Sequence, residues 1–163
     1  MKKLALLLSV LSLTSSAQVN KSENQYSAGF GIGSIYSGLG ANFSLVSKND
    51  MKYISAGCVE YSSFNGATCG FGAGWIKTDF FDFDSNKHGF GIYASLVGRE
   101  RYASFKNNQY THNNNEVYGV GVNYSYFMNG INHAGTTFGI SIHATNAEIG
   151  SRYGGFLQAG YQF

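Results

Sequence analysis

One stretch of this sequence holds the residue types of hydroxyl-nucleophile chemistry: HATNAE, His143 to Glu148. Such chemistry requires a base within hydrogen-bond reach of the hydroxyl and a third group that keeps the base oriented. A histidine inside the fold, bonded to polar neighbours, accounts for the same residues without catalysis. Other reactive types are sparse. Four histidines and two cysteines show no metal-ligand spacing, and no metal or other cofactor is expected. Glycine pairs such as GFGIG and GFGAG lack the GxGxxG spacing and open no helix, which sets dinucleotide binding aside.

The chain that must position these residues begins MKKLALLLSVLSLTSSAQ, with two lysines, an apolar stretch from Leu4 to Leu13, and Ser15 and Ala17 where a signal peptidase reads. The apolar run is about half of the roughly 20 residues a membrane-crossing helix needs. Residues 1–17 are therefore expected to be a signal peptide of a bacterial exported protein, and residues 18–163 a single domain. Loss of Lys2 and Lys3 leaves nine basic and nine acidic residues, so the basic stripe that nucleic acid requires is missing. With 22 Gly, 12 Tyr, 13 Phe, no Pro and only 12% charged residues, the composition argues against disorder and against helix. In an oxidising compartment Cys58 and Cys69 read most simply as one disulfide, with two free thiols as the alternative.

Period two recurs along the chain, one parity apolar and the other small or polar. Tyr26, Ala28, Phe30 and Ile32 alternate with Ser and Gly; Leu39, Ala41, Phe43 and Leu45 form the second segment. The third, MKYISAGCVEY, is the least clear, and Glu60 points to inward-facing even positions. Further segments follow at Phe71–Trp75, Phe90–Leu96, Tyr118–Tyr126, Phe138–Ala144 and Leu157–Phe163. Turn residues lie between them at SKND, FNGAT, DFDSNKH, MNGINHAG and TNAEIGSR, with one longer Asn-rich connection, 104–115, that carries Tyr110 and His112. Eight strands are expected.

In a soluble sandwich the non-apolar parity would face water and carry Lys, Glu and Thr. Here it is Gly, Ser and Asn, residues that fit the crowded inside of a narrow barrel. The aromatic and aliphatic parity is left to meet lipid, where strands persist only in a closed sheet. The expected fold is all-β, an eight-stranded antiparallel up-and-down transmembrane β-barrel, whose interior is just wide enough to be filled by side chains. Glu60, Arg99 and Arg152 are expected inside it as a lumen polar network. A soluble periplasmic barrel that carries a small apolar ligand, as lipocalins do, is the alternative; it would need the reverse facing.

The terminal GFLQAGYQF places Leu157, Ala159, Tyr161 and Phe163 on alternate positions and stops on an aromatic. With this ending the chain resembles the small eight-stranded outer-membrane β-barrels of Gram-negative bacteria, of the OmpX and OmpA membrane-domain type. The resemblance implies an outer-membrane location and contact with outer-membrane lipids and lipopolysaccharide. It further implies a C-terminal strand read by the barrel-assembly machinery, a last strand that closes against the first around Tyr26 to Ile32, and both termini in the periplasm. Monomers are expected, and the role would be structural, surface contact or membrane integrity. The connections at Ser34–Ser37, Phe64–Thr68, Ser104–Asn115 and Asn146–Arg152 would then lie outside the cell. HATNAE is locally similar to the His-x-Ser-Asn segment of PagL-type lipid A deacylases. That resemblance implies His143 as base, Thr145 in place of the nucleophilic serine, and Glu148 as the orienting carboxylate.

Overall fold

The computed structural model describes residues 24–62, 66–80, 85–106 and 109–163. The expected leader, residues 1–17, and the first residues of the FNGAT and DFDSNKH connections lie outside the described residues. Eight strands follow one another: β1 (Gln25–Gly33), β2 (Gly38–Val46), β3 (Asp50–Ser62), β4 (Gly66–Lys77), β5 (His88–Lys106), β6 (Gln109–Phe127), β7 (Gly135–Thr145) and β8 (Tyr153–Gln162). Each pairs antiparallel with its sequence neighbour, and β8 returns to β1, so the sheet is a closed up-and-down barrel as expected. Closure runs from Gly29 opposite Gln162 to Ile32 opposite Ala159, within the two segments whose closure the resemblance implied.

Alternation decides which side chains fill the lumen, because successive residues of a strand point to opposite faces. Phe30, Phe43, Ile54, Phe71, Ile92, Val120, Ile140 and Leu157 are exposed on the outer wall. Asn42, Ser44, Ser55, Ser95, Asn123, Ser125, Ser141, Gln158 and Gln162 are buried within. Glycines on the inward parity leave space for the few large residues there. A Cβ at Gly74 would fall on the Tyr53 ring, and one at Gly160 on the Tyr36 hydroxyl. At the end that carries both termini the lumen closes on an apolar floor of Val46, Met51, Ile76, Phe127 and Ile131.

Four expectations are corrected. In β3 the even positions Lys52, Ile54 and Ala56 face outward, while Met51, Tyr53 and Ser55 are buried. A register shift between Cys58 and Glu60 inserts one extra residue and brings Glu60 opposite the buried Thr68. A second shift, between Leu96 and Gly98, accompanies the burial of Leu96, which is 1% exposed instead of facing outward. The Asn-rich segment 104–115 is no loop: β5 and β6 run 19 residues each and stay paired from His88 opposite Tyr126 to Lys106 opposite Gln109. Since β4 pairs with β5 only as far as Gly72 opposite Ser95, the rest of that hairpin stands beyond the rim as a two-stranded ribbon. Beyond the rim neither face of the ribbon lines a lumen, and its sequence lacks an apolar parity.

The fourth correction concerns the β1–β2 connection. Ser34–Tyr36 forms a single 3-10 turn that folds into the barrel, and Ser34, Ile35, Tyr36 and Ser37 are all at most 1% exposed. Its entry and exit require positive φ, which Gly33 (111°) and Gly38 (93°) supply.

Candidate functional site

The residues that set this molecule apart are those of its outer wall, its plugged lumen and the end opposite the termini. Along β6 the outward positions read Tyr118, Val120, Val122, Tyr124 and Tyr126, an aliphatic band between aromatic ends. β8 repeats the arrangement with Tyr153, Leu157 and Tyr161. Leu157, Tyr161 and Phe163 of the terminal segment are exposed on this wall and Ala159 shares their face, while Gln158 and Gln162 are buried. Phe163 is held in place: its N–H donates to the Ala28 carbonyl at 2.8 Å and its own carbonyl accepts from Ser27 Oγ at 2.6 Å. Its ring lies 5.0 Å from that of Tyr161 and 5.8 Å from that of Phe30.

Inside, hydrogen bonds reach past the neighbouring strand. Gln162 of β8 lies within 3.1 Å of Asn42 and Ser44 on β2 and 2.8 Å from Ser27. Gln158 donates to Ser125 of β6 at 2.6 Å and accepts from Ser34 of the inserted turn at 3.0 Å. Ser37 and Ser55 share a 2.7 Å bond. The lumen is thus filled by side chains tied two strands apart, with a turn seated in it.

His143 takes part in this packing. It is 8% exposed, with Nδ1 2.7 Å from the Tyr93 hydroxyl and its ring 5.2 Å from that of Phe156. Tyr93 Oη also donates to Ser141 Oγ at 3.3 Å. Thr145 faces other partners: Oγ1 donates to the Ser151 carbonyl at 3.0 Å and accepts from the Ala147 N–H at 3.2 Å, which fastens the β7–β8 loop. Glu148 accepts from the Tyr102 hydroxyl at 3.4 Å. The three residues of the deacylase-like segment thus form no base–hydroxyl–carboxylate chain; the histidine's polar partner is a tyrosine. Among the described residues no group of three or more His, Cys, Asp and Glu side chains converges as a metal would require.

Cys58 and Cys69 are opposed across β3 and β4 and joined by a disulfide, S–S 2.00 Å. The facing conflict that an inward Cys58 would have posed disappears with the corrected parity of β3, since Cys58 now shares its face with Cys69. One pair past the bulge, Glu60 bonds Thr68 Oγ1 at 3.3 Å and Arg101 at 3.4 Å. Neither of the other expected members of that network reaches it: Arg99 stands opposite Glu116 on the ribbon, and Arg152 is exposed at the foot of β8. Compared with known proteins, the chain matches no family model, no curated protein and no solved structure.

Two features of the distal end had no clear signal in the sequence. Glu60's partner is Arg101, two residues further along β5 than the expected Arg99. Glu100, on the ribbon, receives the backbone N–H groups of Glu148 and Ile149 at 2.9 Å and of Gly150 at 2.5 Å. These donors favour the charged carboxylate and hold it below its ordinary range, most of all that of Gly150. A carboxylate on one hairpin is thereby enclosed by the loop of the next. The inserted turn did leave a trace, since Ile35 and Tyr36 are large apolar residues in what should have been a short solvated connection.

Proposed function

We propose that the chain is an integral outer-membrane β-barrel with a shut lumen, a structural protein of that membrane whose ribbon and distal loops form its contact surface toward the exterior. The observation that carries this reading is the inverted facing. Large apolar side chains surround the outside of a closed barrel, whereas Ser, Asn and Gln fill its inside. Water-soluble monomers rarely expose contiguous apolar patches beyond a few hundred square ångströms. A closed sheet, in turn, is the one β architecture whose backbone a bilayer tolerates. Aromatic residues at both ends of an aliphatic band agree with the two membrane interfaces. A ligand carrier of lipocalin type needs the opposite facing, and the deacylase reading lacks a bond between His143 and the Thr145 hydroxyl, which is held by Ser151 and Ala147 instead.

In this reading residues 1–17 direct export, and the outer-facing Leu157, Ala159, Tyr161 and Phe163 label the last strand for the assembly machinery. Outer-membrane lipids and lipopolysaccharide surround a monomer. The test is electrophoretic mobility of the outer-membrane fraction in SDS with and without heating. A compact cold species that shifts on heating is expected; a single unshifted band in the soluble periplasm would overturn the reading.

A further inference from the structure

The outer wall is not evenly convex. Between β4 and β7 it is indented by a groove of about 570 Å³, lined by Trp75, Phe80, Ile92, Val122, Ile140 and Ile142. The lining is almost wholly apolar, but one cation reaches it: Lys77, the last residue of β4. Beside it stands a second cation, Lys52, directly opposite Trp75 in the β3–β4 ladder. Both ammonium groups lie over the Trp75 ring, Lys52 at 5.6 Å and Lys77 at 5.9 Å from its centroid. Lys77 has Asp79 at 3.3 Å, whereas Lys52 has no carboxylate partner among the described residues. The groove therefore joins an apolar trough to an indole with two cations on it, one of them without a counter-charge.

We propose that this groove holds an acyl chain of an anionic glycerophospholipid, with Lys52 and Lys77 receiving its phosphate. The proposal rests on the membrane reading above and adds a resident partner to it. Three features select that occupant. The trough offers nothing to a polar ligand, so what enters must be a chain. The cations at one end ask for an anion attached to that chain, since an ammonium over an indole face keeps its charge available to a phosphate. Lastly, Lys77, Phe80 and the groove's lower row belong to the end that carries both termini. In the membrane reading that is the periplasmic leaflet, which is made of phospholipid, and lipopolysaccharide lies in the opposite one.

The full chain would be folded into vesicles of equal parts phosphatidylglycerol and phosphatidylethanolamine, extracted in mild detergent and weighed by native mass spectrometry. The unaltered protein is expected to retain one phosphatidylglycerol in preference to phosphatidylethanolamine. Val122→Trp, which puts an indole in the middle of the groove, should lower that retention about tenfold, equivalent to about 1.4 kcal/mol. Joint replacement Lys52→Gln and Lys77→Gln should leave a lipid bound but remove the headgroup preference. Equal retention by the Val122→Trp protein, or no preference in the unaltered one, would overturn the site. Heating shifts on SDS gels keep the two readings apart. A protein that shifts yet carries no lipid refutes the groove alone, and one that stays in the aqueous fraction without a shift refutes the membrane reading along with it.

Discussion

Placing a charge at Val120 separates a membrane wall from a soluble surface with one substitution. Val120 is 67% exposed on the outer face of β6, between Tyr118 on one side and Tyr124 and Tyr126 on the other. On a protein surrounded by water, Val120→Arg at so open a position would change stability by no more than about 0.5 kcal/mol. At the middle of a bilayer a lipid-facing arginine costs about 2–4 kcal/mol, and near the interfaces about 0–1 kcal/mol. The expected loss is therefore about 2–4 kcal/mol for Val120→Arg, which is roughly a thirtyfold to nine-hundredfold drop in the folding equilibrium. Tyr126→Arg, nearer the terminal end, should cost about 1 kcal/mol or less, and Asn114→Arg on the ribbon nothing measurable. Urea unfolding in phospholipid vesicles measures all three, with the single tryptophan, Trp75, as the fluorescent probe. A Val120→Arg cost under about 0.5 kcal/mol, or equal costs at all three positions, would refute the assignment of this wall to lipid.

Other expectations follow from the lumen and the distal end. Replacing both Cys58 and Cys69 by alanine should lower stability by about 2.5–3 kcal/mol, the loop-closure value for a separation of 11 residues; an unchanged urea midpoint would contradict it. Gly74→Val puts a side chain onto Tyr53 in a packed interior, so the cold compact band should vanish from SDS gels, and its persistence would show that the lumen yields. For Glu100 the folded-state pKa lies below the unfolded one, so its hold on the β7–β8 loop is complete above the ordinary carboxylate range and is lost as pH falls through the lowered value. Protection of the Glu148, Ile149 and Gly150 amides, taken as exchange relative to the intrinsic rate at each pH, should fall on acidification, and Glu100→Gln should leave them unprotected at every pH; protection in that variant equal to the native protein's would remove the carboxylate from the account.

Strand positions were legible wherever one face of a strand meets the lumen and the other the wall. β1 and β8 show this best: Tyr26 to Ile32 and Leu157 to Phe163 hold strict parity, and these two strands close the barrel. β3 was legible as a strand but not in its facing, because Val59 is an extra residue that exchanges the faces halfway along and Glu60 reports only the part beyond it. The ribbon of β5 and β6 escaped notice for the opposite reason, since past the rim neither face lines a lumen and Asn113, Asn114 and Asn115 give no contrast. As for the candidate site, His143 was found as a polar residue of the lumen. Its partner Tyr93 lies 50 residues away and on a strand that is not adjacent, a relation set by the curvature of the barrel and invisible to local spacing.

The turn at Ser34–Ser37 constrains the order in which the chain can assemble. It sits early in the sequence, yet it is enclosed by residues from far along it: Gln158 is 124 positions beyond Ser34, and Gly160 lies against Tyr36. The first hairpin alone cannot bury Ile35 and Tyr36, because the strand that covers them is the last to be made. Sealing the stopper and shutting the ring are then a single late event, at a large cost in loop entropy. A chain cut short before β8 would lose more than one strand of eight; it would leave the stopper bare as well.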